Sequence, residues 1–340
     1  MLRIGWKRLW EILPTVIGIS FFAFILIRIA PGDPVLLMVG ERGADPQQYA
    51  QMQAQLGLDQ PLYRQYGAFV GSALQGDMGT SVSSHRPVTE EFMARWPATL
   101  ELGAAAFLLA IVIGVPMGII AALRRNSALD YAFTGASLIG YSMPIFWWAL
   151  ILILLFSVHL DWTPVSGRIA VSFEVAPWSG FLLIDTLRPE VVQQYGHAAF
   201  KSAAAHLVLP SVVMATVPLA VFARMTRSSM LEVLRLDYVR TARAKGLRER
   251  TVVNRHVLAN SLIPVITVIG IVAGVLLGGA IAIETVFTLP GVGRLVISAV
   301  KRRDYPLIQG VILFITFSYL IVNLVVDLLY VFIDPRVRYS

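Results

Sequence analysis

The sequence contains no cysteine and little charge. In a chain of 340 residues without cysteine, no disulfide, thiolate metal site or cysteine nucleophile can form. Only 14% of the residues are charged, against about 25% in ordinary soluble domains, and 56% are hydrophobic. A compact water-soluble protein of this size could not cover its surface with so few charges. The composition therefore excludes a soluble enzyme and predicts an integral membrane protein.

The sequence also lacks the common motifs of nucleotide hydrolysis, metalloproteases and esterases. Its four lysines follow Trp, Phe, Ala and Val, so the Gly-Lys step of a phosphate-binding loop is missing. The five histidines show no HExxH spacing, and no Gly-x-Ser-x-Gly sequence occurs. His197 and His206 could share an outer surface, but nothing else in the sequence supports a metal site there. We expect a non-catalytic chain with no cofactor or metal of its own.

Six long apolar windows are the main feature of the sequence. A helix that crosses a bilayer needs about 20 mostly apolar residues. Windows of this kind lie at about 9–30, 99–122, 135–158, 203–223, 261–283 and 308–332. The first window is longer than the apolar core of a signal peptide and lacks a small-x-small cleavage site, so we expect an uncleaved anchor. The sequence thus predicts an all-α membrane protein with six transmembrane helices.

The distribution of basic residues predicts the orientation of these spans. The segments 1–8, 123–134, 224–260 and 333–340 would share one side, and they hold sixteen Lys or Arg in 65 residues. The segments on the other side hold eleven in 136 residues, and the net charges of the two sides are +11 and −2. By the positive-inside rule, both termini are expected in the cytoplasm. The pI of about 9.8 then reflects topology and does not indicate nucleic-acid binding.

Two connecting segments are too long to be simple turns. In the outer segment 31–98, residues 48–75 show the pattern of one or two short surface helices, interrupted by Gly57 and Pro61. The other long connection is the inner segment 224–260, which carries the strongest local pattern in the chain.

These observations divide the chain into three regions. Residues 1–98 hold the first span and the long outer segment, residues 99–332 hold the other five spans, and residues 333–340 form a cytoplasmic tail. No span repeats another at a fixed period, and no low-complexity linker separates the regions.

Glycine and proline within the spans indicate close packing and kinks. Gly114 and Gly118 in the second span have the small-xxx-small spacing that allows close helix contact. Five prolines fall inside or at the ends of spans, where each removes a backbone hydrogen bond: Pro116, Pro144, Pro210, Pro218 and Pro264. The freed carbonyls are tolerated where they face protein or a water-filled cavity. Kinks needed only for packing are the alternative for each of them.

The inner segment contains a predicted short helix at 237–246. Asp237 is a suitable N-cap, Gly246 suits the left-handed position after a helix, and Lys245 is favourable beside the helix dipole. The eight residues between these caps would form a rod about 12 Å long, which is marginal alone and must dock on another surface. Composition by itself favours equally a contact for a cytoplasmic partner and a helix lying on the membrane surface.

The same segment resembles a known family. The stretch DYVRTARAKGL…VLANSLIPV is similar to the cytoplasmic EAA loop of ABC-importer permeases in its peptide-transporter form. Arg240, Thr241 and Ala242 stand at the EAA positions, and Ala259 stands where the general motif has proline. The resemblance continues along the chain in PGDP at 31–34, LGLDQPL at 56–62, GDMGTS at 76–81, WPATLELG at 96–103, GYSMPIFWW at 140–148, TPVSGR at 163–168, RMTRSSMLEVL at 224–234, ETVFTLPGVGR at 284–294 and RRDYP at 302–306.

The resemblance implies a type I ABC-importer permease fold, in the bacterial cell inner membrane. It implies a second permease subunit, two ABC ATPase subunits that bind ATP and Mg, and a periplasmic substrate-binding protein. In this family the short inner helix is the coupling helix, which fits a cleft on the ATPase. The residues expected to form it are Asp237, Tyr238, Arg240, Thr241, Ala242, Arg243, Ala244, Lys245 and Gly246.

The outer segment after the fifth span is expected, by the same resemblance, to form a periplasmic gate that meets the binding protein. Its proline-glycine pair breaks the helix, so the chain would re-enter the membrane or fold over the pore mouth. A loop ordered only by neighbouring helices is the alternative. The predicted gate residues are Glu284, Phe287, Pro290, Gly291 and Gly293.

A translocation path would be lined by polar residues and helix breaks within the spans. Glu101 and Asp327 are acids inside spans, which makes them functional candidates, with a structural interhelical hydrogen bond as the alternative for each. The full set of predicted path residues is Glu101, Tyr141, Ser142, Met143, Pro144, Asn323 and Asp327.

The predicted function is therefore that of a permease subunit that moves dipeptides or other short peptides inward. The nickel, glutathione and oligopeptide permeases of the same family are alternatives. A self-sufficient carrier or channel is the rival from another class, although the missing inverted repeat and the few intramembrane charges argue against a proton-coupled carrier. A membrane-embedded enzyme is weakened by the absence of a metal or nucleophile constellation.

Overall fold

The computed structural model describes residues 14–25, 29, 46–55 and 59–333. In these residues the regular structure is helical, and the only strand-like pairing among them is a single bridge between Thr80 and Pro87. The predicted all-α class is confirmed for this part of the chain.

The helices before residue 95 are short. They are α1 (Pro14–Ile25), α2 (Pro46–Gln55), α3 (Leu62–Leu74) and α4 (Val88–Met93). The two short helices expected in the outer segment are α2 and α3, and Pro61 is the N-cap of α3. Gly57 lies outside the described residues, as does much of the first predicted span, of which α1 is the largest described part.

Four longer helices follow the predicted windows. They are α5 (Trp96–Leu123), α10 (Ala198–Val233), α13 (Leu258–Val286) and α15 (Tyr305–Ile333). Each takes part in a stretch that is long and apolar enough to cross a membrane. At 36 residues, α10 is about 54 Å long and exceeds the hydrocarbon core of about 30 Å, so it continues well beyond its predicted span.

The window at 135–158, predicted as one span, forms two helices in the structure. Helix α6 (Ala128–Ser142) and helix α7 (Ile145–Leu152, extended by a π-helical turn at Ile153–His159) meet at 112°. The residue before a proline is displaced from helical conformation, and Met143 is accordingly extended at φ −87° and ψ 139°. The described residues contain four candidate spans, or five if this bent pair counts as one.

Short helices fill the remaining connections. These are α8 (Leu182–Asp185), α9 (Pro189–Tyr195), α11 (Asp237–Ala244), α12 (Glu249–Thr251, followed by a π-helical turn at Val252–Val257) and α14 (Val292–Lys301).

The chain divides into two compact units. The first unit comprises Met1–Trp96 with Gly291–Ile321, and the second comprises Pro97–Pro290 with Val322–Ser340. In the first unit, α4, α14 and α15 bury a common apolar cluster that includes Val88, Phe92 and Leu295. In the second unit, α5, α7, α10 and α13 enclose the largest apolar cluster of the described residues.

Close contact between α5 and α10 depends on the two predicted glycines. A Cβ atom at Gly114 would lie 2.8 Å from the carbonyl oxygen of Leu219, and one at Gly118 would lie 2.5 Å from that of Ala223. Because the atoms they meet belong to the backbone of α10, a side chain here could be accommodated only by moving the helix. The small-xxx-small interpretation of this span is confirmed.

Asp304 organises a loop of the first unit. Its fully buried carboxylate accepts hydrogen bonds from the Ser81 hydroxyl at 2.6 Å, the Ser83 hydroxyl at 2.8 Å and the backbone N–H of Val82 at 3.1 Å. Burial alone would raise the pKa of Asp304, but these hydrogen bonds outweigh it and hold the pKa below its ordinary value. Since Asp304 directly precedes α15, it fixes the 81–83 loop to the start of that helix.

Replacing Gly118 by alanine is expected to destabilise the chain by about 1–3 kcal/mol, because the new methyl group overpacks the backbone of α10. Gly103 is the matched control on α5, since no atom lies within 4 Å of a Cβ placed there. Gly103→Ala should keep or raise the stability, as alanine favours helix over glycine. Thermal unfolding of the detergent-purified protein measures both. Equal midpoints for the two variants would contradict the close contact.

Asp304→Asn should lower the stability by about 2 kcal/mol near pH 7, because hydrogen bonds to a charged acceptor are lost. The exposed Asp59, changed to Asn, is the control and should have no effect. A depressed folded-state pKa stabilises above the unfolded pKa of about 3.9, and the effect disappears as the pH falls through the folded value. Unfolding midpoints measured from pH 7 downward should therefore converge for the wild type and Asp304→Asn. A difference that persisted under strong acid would contradict this assignment.

Candidate functional site

A short helix, α11, is present where the sequence predicts one, and its eight residues begin one position earlier than expected. Its start differs from the prediction, because Asp237 is not the N-cap. Leu236 occupies that position in an extended conformation, and its carbonyl accepts from the N–H of Val239 at 3.0 Å. Asp237 is the first helical residue, and its exposed carboxylate lies 3.6 Å from the Arg240 guanidinium. The helix therefore begins without a side-chain cap.

The end of α11 follows the prediction. Gly246 has φ +77°, the left-handed region that glycine enters without strain, and its N–H donates to the carbonyl of Arg243 at 2.9 Å. Lys245 is the C-cap, and its N–H donates to the Thr241 carbonyl. The chain can therefore leave the helix sharply toward α12.

One face of α11 is attached to its own chain. Val239 and Ala242 are buried in an apolar cluster with residues at the end of α10 and in the π-helical turn after α12, among them Met230 and Val253. Ala242, predicted to allow the approach of another surface, therefore faces this chain. The opposite face is exposed, and its residues are Asp237, Tyr238, Arg240, Thr241, Arg243 and Ala244.

Polar contacts also hold α11 in place. Two guanidinium nitrogens of Arg243 donate to the Glu249 carboxylate, at 2.6 and 3.1 Å. The Tyr238 hydroxyl donates to the His256 carbonyl at 3.3 Å and accepts from the Asn260 amide at 3.0 Å. The helix is therefore tied to α12 near its end and to the start of α13 near its beginning.

The sequence did not reveal an ion pair that joins α10 to α6. Arg227 on α10 donates to both carboxylate oxygens of Asp130, at 2.6 and 2.8 Å, and Asp130 also accepts from the Asn126 N–H. Asp130 is 2% exposed, whereas the side chain of Arg227 is 30% exposed, so the carboxylate is buried and the guanidinium is partly in contact with solvent. The only sequence signal was the presence of opposite charges near the ends of two apolar windows, which does not specify a partner. This bidentate pair connects α10 to the start of α6.

Two of the predicted gate residues lie in the core of the second unit. Glu284 falls in the last turn of α13, where its fully buried carboxylate accepts from the Thr99 hydroxyl at 2.6 Å. Phe287, the C-cap of α13, is 1% exposed. The chain then turns through Thr288, which has φ +56°, to the exposed Pro290.

The predicted proline-glycine turn is shorter than expected. Gly291 is the N-cap of α14, and Gly293 is the second residue of that helix. Both glycines are buried within the first unit.

Glu101 is held by charge and backbone contacts. Its carboxylate accepts from the Arg168 guanidinium at 2.5 Å and from the Leu183 N–H at 2.7 Å. The cavity beside it, also bordered by His206, has about 20 Å³ of space, enough for roughly one water molecule. Both carboxylate oxygens of Glu101 are therefore engaged within this chain.

Asp185 orders the neighbouring loop, a role that the sequence did not reveal. Its buried carboxylate accepts from the Ser179 hydroxyl at 2.6 Å and from the N–H groups of Trp178, Ser179 and Gly180. Burial would raise the pKa of Asp185, but these hydrogen bonds outweigh it and the pKa lies below its ordinary value.

The remaining predicted path residues cluster at the bend between α6 and α7. The Tyr141 ring is 52% exposed, and the Ser142 hydroxyl donates to the Leu138 carbonyl. Arg224 on α10, which the sequence did not single out for the path, places its guanidinium carbon 4.5 Å from the centre of the Tyr141 ring. Met143 and Pro144 form the bend itself.

The last two predicted path residues lie on α15. Asn323 is partly buried, whereas the side chain of Asp327 lies outside the described residues.

Comparison with known proteins covers nearly the whole chain. Residues 114–339 match the family described as binding-protein-dependent transport system inner membrane component, and residues 1–103 match its N-terminal companion family. The chain is 52% identical to the Di/tripeptide transport system permease protein DppB of Pseudomonas aeruginosa, over 98% of each chain. It is 48% identical to the Dipeptide transport system permease protein DppB of Escherichia coli and 46% identical to that of Haemophilus influenzae, over the full length of each chain.

These matches extend over the whole chain, and they agree with the apolar helices and with the sequence resemblance. The chain therefore belongs to the binding-protein-dependent transport system inner membrane components, the multi-pass permease subunits of ABC importers.

Proposed function

We propose that this chain is a permease subunit of an ATP-driven importer that carries dipeptides or other short peptides across the bacterial inner membrane. The observation that carries the proposal is α11, a short helix with one face buried in its own chain and an exposed face that is largely polar and includes two arginines. The dipeptide cargo is supported by full-length similarity to relatives that are named for dipeptide transport.

We infer six spans with both termini in the cytoplasm. The four long helices, the bent pair α6–α7 and the window that contains α1 account for six. The excess of Lys and Arg in the segments between them supports the orientation, and it places α11 on the cytoplasmic side.

The partners proposed for this chain are a second permease subunit, most simply a paralogue, two ABC ATPase subunits and a periplasmic substrate-binding protein. ATP and Mg would bind to the ATPases, so the permease itself takes no cofactor and catalyses no reaction. Membrane lipid would cover its outer apolar faces, where residues such as Leu108, Val112 and Phe317 are exposed.

The geometry supports a route for motion from the ATPases into the membrane. A force on the exposed face of α11 would pass through Val239 and Ala242 to the end of α10. From α10 it would reach α6 through the Arg227–Asp130 pair, and the bend at Pro144 would allow α6 and α7 to move separately. In alternating access, α6, α7 and α10 would then move as packed helices while contacts such as the Arg227–Asp130 pair stay intact.

We also propose a periplasmic gate and a translocation path at the residues predicted for them. The turn at 288–291 follows the end of α13 and exposes Pro290, which supports a role in contacting the periplasmic binding protein. Glu284 and Phe287 would support this turn from the core, since the Leu289 N–H donates to the Glu284 carbonyl at 2.8 Å.

Charge reversal of Arg243 tests the contact with the ATPase. In the reconstituted transporter, Arg243→Glu is expected to abolish peptide-stimulated ATP hydrolysis while membrane insertion is unchanged. The matched variant Arg243→Glu with Glu249→Arg restores the intrachain ion pair but keeps the reversed charge at position 243. It should be equally inactive. Recovery of stimulation in the double variant would mean that Arg243 acts only within this chain.

Gly246→Pro should also abolish peptide-stimulated ATP hydrolysis, because proline cannot adopt φ +77° and lacks the N–H that closes the helix.

Purification of this chain from its native membrane in mild detergent tests the assembly. Mass spectrometry should identify a second six-span protein and two ATPases with Walker motifs. Uptake of a dipeptide into vesicles should then require ATP and the binding protein, and nickel, glutathione and longer peptides should compete poorly. If the chain purified repeatedly alone, or if uptake followed a proton gradient without ATPase, the carrier alternative would replace this proposal.

A further inference from the structure

Two arginines, one turn apart on α10, point in opposite directions along α6. Arg227 and Arg224 are three residues apart, which corresponds to about 4.5 Å along the helix. Arg227 holds Asp130, whereas the guanidinium of Arg224 lies over the ring of Tyr141. Asp130 and Tyr141 are separated by eleven residues of α6, or about 16 Å. The two guanidinium groups are therefore far apart although their backbones are close.

The guanidinium of Arg224 is directed toward the bend between α6 and α7. Helix α6 begins after Ser127, its N-cap, and Tyr141 lies near its other end, beside the bend at Pro144. With the 123–134 connection on the cytoplasmic side, Tyr141 lies about three helical turns inside. A long arginine side chain usually extends back to the membrane surface, and Arg224 extends the other way.

Among the residues that the structure describes, no ion pair includes Arg224, and the nearby Asp130 is already bound by Arg227. The Tyr141 ring attracts the cation but does not neutralise it. An uncompensated charge within a membrane protein faces a water-filled cavity or binds an ion or substrate.

Arg224 borders a small crevice between α5, α6 and α10, which is lined mostly by apolar residues such as Met117 and Phe133 together with Thr134 and Ser137. The Tyr141 ring is about half exposed in this chain. A guanidinium that stacks on a ring keeps its in-plane N–H donors available, and their fork matches the two oxygens of a carboxylate.

We propose that Arg224, supported by Tyr141, binds the C-terminal carboxylate of the peptide during its passage. This inference rests on the proposed function, which supplies a substrate that always carries such a group. The inward direction of the side chain favours a translocated anion over a lipid phosphate, because headgroups lie at the membrane surface. Binding would be brief, since a site within a path must also release its ligand.

The test compares a dipeptide with its C-terminal amide, using the complete transporter and its binding protein in proteoliposomes. Any preference of the binding protein for the carboxylate is common to all permease variants and cancels in the comparison. In the wild type the dipeptide should be taken up faster than the amide. Arg224→Gln should slow uptake of the dipeptide about tenfold or more and leave that of the amide nearly unchanged. Arg224→Lys should recover part of the preference.

The exposed Arg125, in the turn between α5 and α6, provides the matched control. Arg125→Gln should leave the preference as in the wild type. An equal loss of dipeptide and amide uptake in Arg224→Gln would overturn the proposal and indicate a structural role. Reduced co-purification of the second permease with Arg224→Gln would also overturn it, because the partner of Arg224 would then be an acidic residue of that subunit.

The remaining alternative is that Arg224 binds an anionic lipid headgroup, and changing the lipid composition of the vesicles tests it. In vesicles of phosphatidylcholine alone, the wild type should keep its preference for the carboxylate. If the preference appeared only when phosphatidylglycerol was added, an anionic headgroup would be the ligand and the proposal would fail. A wild-type complex that transported no peptide under any condition would instead refute the proposed function, so the two failures are distinguishable.

Discussion

The ion pair between Arg227 and Asp130 fixes α6 against α10 in the second unit. With both carboxylate oxygens occupied and only 2% of Asp130 exposed, the pair sets the start of α6 against α10. The buried face of α11 packs on the same end of α10 through Val239. Removing the arginine would leave the buried carboxylate of Asp130 uncompensated, which is costly, so the two helices depend on this pair once it is present.

Buried carboxylates likewise fix the positions of loops. Asp304, Asp185 and Glu101 each accept hydrogen bonds from hydroxyl, guanidinium or backbone N–H groups far away in the sequence or across a tight turn. These acids are therefore explained by loop order, whereas Arg224 has no acid partner in the described part of the chain and remains available for a ligand.

Residues of the same candidate site differed in how well the sequence predicted them. The helix at 237–246 was predictable because its length and its final glycine are local properties, and Gly246 has the left-handed backbone expected of it. The N-cap prediction for Asp237 failed because Leu236 supplies the first free carbonyl one residue earlier. The assignment of Ala242 to a partner surface could not anticipate that the helix buries this face against its own chain.

The sequence by itself determined the membrane class, the positions of the long helices and the family, because apolar length, charge distribution and motif spacing are readable along one dimension. Only the tertiary structure decided which charges are neutralised. Arg224 and Arg227 are alike in the sequence and one turn apart, yet one pairs with Asp130 and the other stacks on Tyr141. The reason is geometric: the direction of a long side chain depends on the helix packed beside it, and that neighbour is distant in the sequence.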